Sequence, residues 1–274
     1  MVWKKYKKEE GYSYTLGAFP TMELILHAPE KIMDILISSD FREKEKVIGL
    51  LEEKKIPYRI ADKEIRRLAV KGNTYLVGVF KTVHEGVRDK NHVVLDRVSD
   101  MGNLGNISRS LLAFGLHDLV TLGDSCDFDH PRTVRSSMGA VFHLRYSHYH
   151  NLEEYRRAFP DPNRKLFLFM LDPQASSLPG QAPPEKWSLV FGNEGAGLDP
   201  EAKRYGRPVF IPQSEEVDSL NLTTACAIGL YHFMGKDGSR DFGEGNGDLK
   251  KKEPVKEKGQ KEGGEGNGES LSRI

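Results

Sequence analysis

Three short stretches of this chain hold the residue types that chemistry needs. "NLGNISR", residues 103–109, places Asn103, Gly105, Asn106 and Arg109 within two helical turns. Gly105, Asn106 and Arg109 then share one face, being three and four residues apart. Leu104, Ile107, Leu111 and Phe114 form an apolar face. Asn103 stands where a helix N-cap is expected. An exposed arginine on a helix is ordinary. Glycines at 102 and 105 are less so: they cost helix stability and predict a close approach to the backbone. "GNEGAG", residues 192–197, follows the apolar "LVF", so a strand runs into a glycine-rich turn. It lacks both the Lys-Ser/Thr of a phosphate loop and the G-x-G-x-x-G spacing of a dinucleotide site. Glu194 would repel phosphate, so the turn points to an uncharged or cationic part of a ligand. "IPQSEEVDSLN", residues 211–221, repeats the theme of strand, loop and helix, with Asp218 or Ser219 as the expected cap. In the helix over 219–233, Leu220, Ala227 and Tyr231 lie near one face and Leu222, Cys226 and Phe233 near the other. A helix that is apolar all round is buried on both sides.

A fourth stretch, 130–151, contains Arg132, Arg135 and Arg145 and no acidic residue. Tyr146 and Tyr149 interleave with His143, His148 and His150, a mix that suits phosphate contacts and base stacking. No flanking Cys or Asp completes a ligand set with these histidines, so no metal is implied. Lys4, Lys5, Lys7 and Lys8 form a second basic patch.

These stretches need a scaffold. From His92 onward, "HVVLDRV", "DLVTL", "AVFHLRY", "KLFLFML", "WSLVFG" and "RPVFIP" read as strands with helices between several of them. That pattern predicts an α/β fold with a mostly parallel sheet. Ligands in such sheets bind outside the carboxyl ends of strands, where the polar and glycine-rich turns fall. Residues 20–85 read as a smaller α/β unit. "LILHAP" and "YLVGVF" look like strands there. "PEKIMDILISS" and "EKEKVIGLLEEKK" show helical spacing at Ile32, Ile35 and Leu36, then at Val47, Leu50 and Leu51. "IPYRIAD" is a strand entering the helix "DKEIRRLAV". The expected layout is a basic extension at 1–19, the small unit at 20–85, a linker at 86–91, the larger unit at 92–234 and a tail at 235–274. The tail holds 10 of the 27 glycines and few large apolar residues, which predicts disorder.

Lys plus Arg and Asp plus Glu are each 40, so charge placement matters more than the sum. Cys126 and Cys226 lie far apart, which suits a reducing compartment and argues against a disulfide framework or a zinc site. The start lacks the apolar core of a secretory signal. The longest apolar run, "LFLFML", is too short to span a bilayer. A soluble, cytoplasmic protein is expected.

Taken together and in this order, the motifs and "RSSMGAVFHL" closely resemble the SpoU (TrmH) family of RNA ribose 2′-O-methyltransferases, within the SPOUT superfamily. Asn103, Gly105 and Arg109 match its Asn-x-Gly-x-x-x-Arg motif. Gly192, Glu194 and Gly195 match its Gly-x-Glu-Gly loop. Ile211, Pro212, Ser219, Leu220 and Asn221 match its Ile-Pro and Ser-Leu-Asn elements. The resemblance covers about 92–234, while 20–85 more weakly resembles an L30e-like substrate-binding domain. "SDMGNLGN", Ser110 and the acidic "SEEVDS" depart from the usual pattern and bear on substrate identity rather than on the reaction.

The resemblance implies a trefoil-knotted fold, a rare exception to unknotted topology. It also implies S-adenosylmethionine as cofactor, a homodimer, no metal, and a structured RNA substrate, ribosomal ahead of transfer RNA. Leu171, Gly192, Ile211, Ser219 and Leu220 would hold the cofactor, and Arg132, Arg135 and Arg145 the RNA. Asn103, Arg109, Glu194, Ser219 and Asn221 would form the catalytic group. A guanidinium is a poor base, so Arg109 would orient the hydroxyl or a neighbouring phosphate and stabilise developing alkoxide charge. The alternative reading is an inactive RNA-binding protein of the same fold.

Overall fold

A computed structural model describes residues 3–69 and 74–234. The expected tail at 235–274 lies outside the described residues. Two sheets organise the described chain. The first has the order β1-β4-β2-β3, built from β1 (Tyr12–Leu16), β2 (Ile32–Ile37), β3 (Tyr58–Ile60) and β4 (Leu76–Lys81). β4 runs antiparallel to both β1 and β2, and β2 runs parallel to β3. Helices α1 (Ala18–His27), α2 (Lys44–Glu53) and α3 (Asp62–Leu68) complete this part. One face packs Ile25, Ile35, Ile37, Val47, Leu51 and Leu76. The other packs Tyr14, Leu36, Ile65, Leu68, Val77 and Val79 with Trp3.

Three expectations for this part are corrected. "LILHAP" is not a strand: it lies largely in α1, which starts after Gly17 with Pro20 in its first turn, a position where proline costs a helix no bond. "PEKIMDILISS" is not a helix: its apolar core is β2. Ile35, Leu36 and Ile37 are all buried because β2 lies between β4 and β3 with both faces covered. A strand buried on both faces is a continuous apolar run, and a short run of that kind does not reveal its period. Third, residues 1–19 are not a bare extension. They contain β1, and Trp3 is 5% exposed, its indole N–H donating to Asp34 at 2.8 Å.

The second sheet has the order β7-β6-β5-β10-β8-β11-β9, with every adjacent pair parallel. Its strands are β5 (His92–Asp96), β6 (Asp118–Leu122), β7 (Arg145–Tyr149), β8 (Lys165–Phe169), β9 (Ser176–Ser177), β10 (Trp187–Phe191) and β11 (Arg207–Phe210). "AVFHLRY" divides between a 3-10 turn, Ala140–His143, and β7, so the strand starts later than expected. Val93, Leu95, Phe167, Phe169, Leu189 and Phe191 face α4 (Met101–Ala113) and α7 (Leu222–Met234). Val94, Leu166, Leu168 and Val190 face Tyr155 of α6 (Leu152–Ala158) on the other side. Helices on both faces explain the uninterrupted apolar strands. At the amino-terminal end of the sheet, buried Arg164 donates to Asp89, the Lys90 carbonyl and Ser188 Oγ at 2.6 to 3.0 Å, which ties β5, β8 and β10 together. Among the described residues, no helix is long and apolar enough to cross a membrane.

Candidate active site

The carboxyl ends of β8, β10 and β11, three neighbours in the sheet, open onto one cavity of about 380 Å³. Phe169–Asp172 follow β8 into its wall, Gly192–Leu198 follow β10, and Phe210, Ile211 and Gln213 follow β11. Ser219, Leu220 and the first turn of α7 close it. Leu171, Gly192, Ile211, Ser219 and Leu220, expected to act together, therefore line one cavity, joined by Glu194.

The loop after β10 is shaped by Asn193, which sequence reasoning missed. Its Oδ1 accepts the N–H groups of Gly195 and Ala196 at 2.9 and 3.0 Å, and its Nδ2 donates to the Arg97 carbonyl at 2.8 Å. Its backbone pairs with Gly197 in both directions, at 3.2 and 2.9 Å. The Asn-x-Gly spacing was a usable signal, because Asn bonding two residues ahead is an Asx-turn. Gly192 is required by close approach: a Cβ there would lie 2.1 Å from the carbonyl carbon of Gly197.

Glu194 faces the N-terminus of α4. It accepts the Ser99 and Asp100 N–H groups at 3.0 and 3.1 Å, the Ser99 hydroxyl at 2.9 Å and the Asn103 side-chain amide at 3.1 Å. Burial raises its carboxyl pKa, but bonds from Ser99, Asn103 and Asp100 outweigh burial and bring it down to about 2. The helix dipole adds to the same preference for negative charge. Asn103 is not the N-cap. Asp100 caps α4 by accepting the Asn103 N–H at 2.7 Å, which frees the Asn103 side chain for Glu194. The close approach predicted from Gly105 is α5 (Pro131–Ser136): a Cβ there would sit 2.6 Å from the Thr133 carbonyl oxygen.

Replacing Glu194 with Gln should destabilise the fold by about 1–3 kcal/mol, since an amide N–H₂ would face donors that then lose their acceptor. The folded pKa of about 2 lies below the ordinary 4.5. The carboxylate's contribution is thus present above the ordinary value and is lost as pH falls through the folded one. Thermal melts should show the widest gap between wild type and E194Q above about pH 5, closing towards pH 2. A gap that grows on acidification would refute this account.

The remaining expected residues sit outside the cavity wall. Arg109 is exposed on α4. Asn221, not Asp218 or Ser219, caps α7: its Oδ1 accepts the Thr223 N–H at 2.8 Å and the Thr223 hydroxyl at 2.5 Å. Leu222, Cys226 and Phe233 are buried against the sheet, whereas Tyr231 is 68% exposed.

The basic stretch divides. Arg132 is exposed and Arg135 half-buried on α5. Arg145 is not available for RNA, because it forks onto buried Asp118 at 2.7 and 2.5 Å. Tyr146 is not available for stacking on a base: it stacks on Phe128 at 4.3 Å and bonds Thr121 Oγ1 at 2.7 Å. The N-terminal segment reaches the start of α5 through Tyr6. The Tyr6 hydroxyl donates to Asp127, and its ring meets that of His130, the cap of α5, at 5.2 Å. The pKa of His148 is lowered first by burial and next by the charge of Lys8.

The SpoU rRNA Methylase family model matches residues 90–231. The 23S rRNA (guanosine(2553)-2'-O)-methyltransferase RlmP of Bacillus subtilis is 35% identical over 147 residues, 52% of this chain and 57% of that protein. The 23S rRNA (guanosine-2'-O-)-methyltransferase RlmB of Bordetella pertussis is 27% identical over 78% of this chain and 94% of its own length. A crystal structure of an AdoMet-bound rRNA methyltransferase from Sinorhizobium meliloti aligns with a TM-score of 0.71 and 27% identity, over 82% of this chain and 87% of that one. The chain spans about half the length of several curated relatives it matches.

Proposed function

This chain belongs to the SpoU rRNA methylase family, and on that premise we propose that it transfers a methyl group from S-adenosylmethionine to a ribose 2′-hydroxyl of structured RNA, ribosomal RNA in the first place. The observation that carries the proposal is the cavity at the ends of β8, β10 and β11, which gathers five residues named for the cofactor from three separate segments. The cavity suits the cofactor. Its volume lies in the range of small-molecule sites, about 300–1,000 Å³. Leu171, Ile211 and Leu220 offer apolar surface for a nucleoside ring. Gly192, which no side chain covers, brings backbone rather than apolar surface to the wall. The Glu194 carboxylate in the wall favours a cationic ligand over a phosphate. The names of the relatives, which specify 23S rRNA, support ribosomal RNA.

Bound S-adenosylmethionine supplies a methyl group already activated by the positive charge on its sulfur. The chain's part is alignment and management of one proton. Glu194 locks the loop after β10 to the N-terminus of α4, which sets the helix carrying Arg109 against the pocket. Arg109 orients the ribose hydroxyl or an adjacent phosphate and stabilises alkoxide charge as it develops. The proton leaves to phosphate or water. Asn103, Ser219 and Asn221 hold these segments in place. The segment after β11, returning beside the loops of β8 and β10, is the knotted one. The four-stranded part is an L30e-like RNA-presenting domain. The test is incubation of the full chain with methyl-labelled S-adenosylmethionine and ribosomal RNA. Label should appear in 2′-O-methyl nucleosides. Base methylation would refute the reading, and RNA binding without transfer would establish the inactive alternative.

Lys4–Lys8, Arg132 and Arg135 form the RNA surface, with Arg145 removed from it. The R132A/R135A double variant should bind RNA more weakly at low salt. It should also flatten the slope of log affinity against log salt by about 0.7–0.9 for each phosphate that the variant no longer neutralises. An unchanged slope would remove α5 from the interface.

A homodimer completes the reading. Tyr231 leaves the exposed face of α7 beside Phe114, with ring centres 6.4 Å apart, as an uncovered apolar strip. Such strips mark interfaces, and two-fold pairing is their default use. Y231E should shift light scattering from dimer to monomer and lower activity. A wild-type monomer with full activity would exclude the dimer.

A further inference from the structure

Away from the cavity, Glu23 and His27 on α1 meet His143 in the 3-10 turn that follows α5. One ligand atom from each residue lies within 4.8 Å of the other two. Both rings converge on the same carboxylate oxygen: Glu23 Oε2 is 2.8 Å from His143 Nε2 and 3.6 Å from His27 Nε2. The ring centres of the two histidines are 4.2 Å apart, tilted by 48°. One oxygen serves one imidazole N–H well; two imidazoles crowded around it form a set of donors for a shared cation.

We propose that Glu23, His27 and His143 bind a zinc-class divalent ion that clips the four-stranded part of the molecule to the methyltransferase sheet. The chemistry of the set fits. Two imidazole nitrogens and one carboxylate oxygen are a frequent zinc complement, with water as the fourth ligand. Bonds of about 2.0–2.1 Å at tetrahedral angles put ligand atoms about 3.3 Å apart. The 3.6 Å separation already matches this, and the 2.8 Å one needs to open by only about half an ångström. Glu23 and His27 are four residues apart and so share one face of α1. The backbone of His143 is fixed where the turn ends, its carbonyl oxygen 3.1 Å from His117 Nδ1. Side-chain exposures of 45% for His27, 23% for Glu23 and 22% for His143 leave an entry path.

The linkage has structural sense. His143 follows α5, which bears Arg132 and Arg135, while α1 belongs to the four-stranded part. An ion there would fix α1 against the turn that follows the arginine-bearing α5. It takes no part in methyl transfer, so it stands or falls separately from that reaction.

The experiment uses the full chain without an affinity tag. After treatment with chelator and dialysis, zinc is titrated against a chromophoric competitor, and cobalt(II) is followed by visible absorption. Expected are one equivalent of zinc per chain, a tetrahedral cobalt spectrum, and a rise in thermal midpoint with zinc. E23Q and H27N, which disturb a partly exposed cluster rather than the core, should each weaken zinc binding by at least about a hundredfold and abolish the cobalt band. Circular dichroism of both variants checks that they fold. Absence of zinc binding by the wild-type chain would overturn the proposal. So would equal binding by folded E23Q and H27N, because the ion would then sit elsewhere.

Discussion

Replacing Arg109 with Ala is expected to lower the rate of methyl transfer at saturating substrate by at least about a hundredfold, the usual cost of removing a donor to developing oxyanion charge, while S-adenosylmethionine affinity is unchanged. The separation follows from position. Arg109 is exposed and outside the cavity wall formed by the loops after β8, β10 and β11. It lies six residues after Asn103, about 9 Å along the helix axis. Asn103 in turn bonds Glu194, whose loop lines the cavity. Arg109 is therefore carried on a helix whose start is locked to the loop that lines the cavity, with its own side chain exposed on the side proposed to receive the acceptor RNA. R109K keeps the charge but not the planar fork and should restore part of the activity if charge stabilisation dominates. Transfer by R109A close to the wild-type rate would take Arg109 out of the mechanism. Loss of cofactor affinity in R109A would move it to the donor side.

The second large effect belongs to Gly192. A Cβ there would lie 2.1 Å from the Gly197 carbonyl carbon, 2.3 Å from the Leu198 nitrogen and 2.4 Å from the Gly197 oxygen. All three are backbone atoms, so no rotamer change relieves the clash. The loop must open, and the paired bonds between Asn193 and Gly197 must break. G192A should therefore cost about 3 kcal/mol or more, at the upper end of overpacking effects, and abolish cofactor binding in calorimetry. G195A is the matched control: a Cβ at Gly195 meets only Asn193 Oδ1, at 3.6 Å, an ordinary contact. Wild-type affinity in G192A would show that the loop is not the cradle, and equal damage from G195A would make the effect non-specific.

The candidate site was largely legible along the chain because its parts are local. A strand must end before a loop can reach a ligand, so "LVFGNEGAG" already implied a turn at a carboxyl end. Leu171, Ile211, Ser219 and Leu220 came from the family resemblance rather than from element boundaries, and the cavity gathers them. The first sixty residues were harder. α1 and β2 exchanged their expected identities because short apolar runs buried on both sides carry no readable period. The cap positions also moved, Asn103 yielding to Asp100 and Ser219 to Asn221. Every candidate there was a good cap; at α4 the Asn103 side chain is engaged by Glu194 instead.

Hydrophobic continuity and turn chemistry, both short-range properties, specified an α/β protein with a parallel sheet and a glycine-rich loop at one end of it. Which charged and polar groups were free to act was a long-range matter. Arg145 and Asp118 are 27 residues apart, yet the parallel register of β6 and β7 sets them directly opposite each other. That pairing turns an apparent phosphate ligand into an ion pair. Glu194 and Asn103 are 91 residues apart. They meet because β10 inserts beside β5, the strand that leads into α4. Glu23 and His143, 120 residues apart, meet where α1 packs on the turn after α5. A side chain's local context sets what chemistry it offers. Strand order and register set which partner it meets and how far it is withdrawn from water, and those two factors decide whether that chemistry is available.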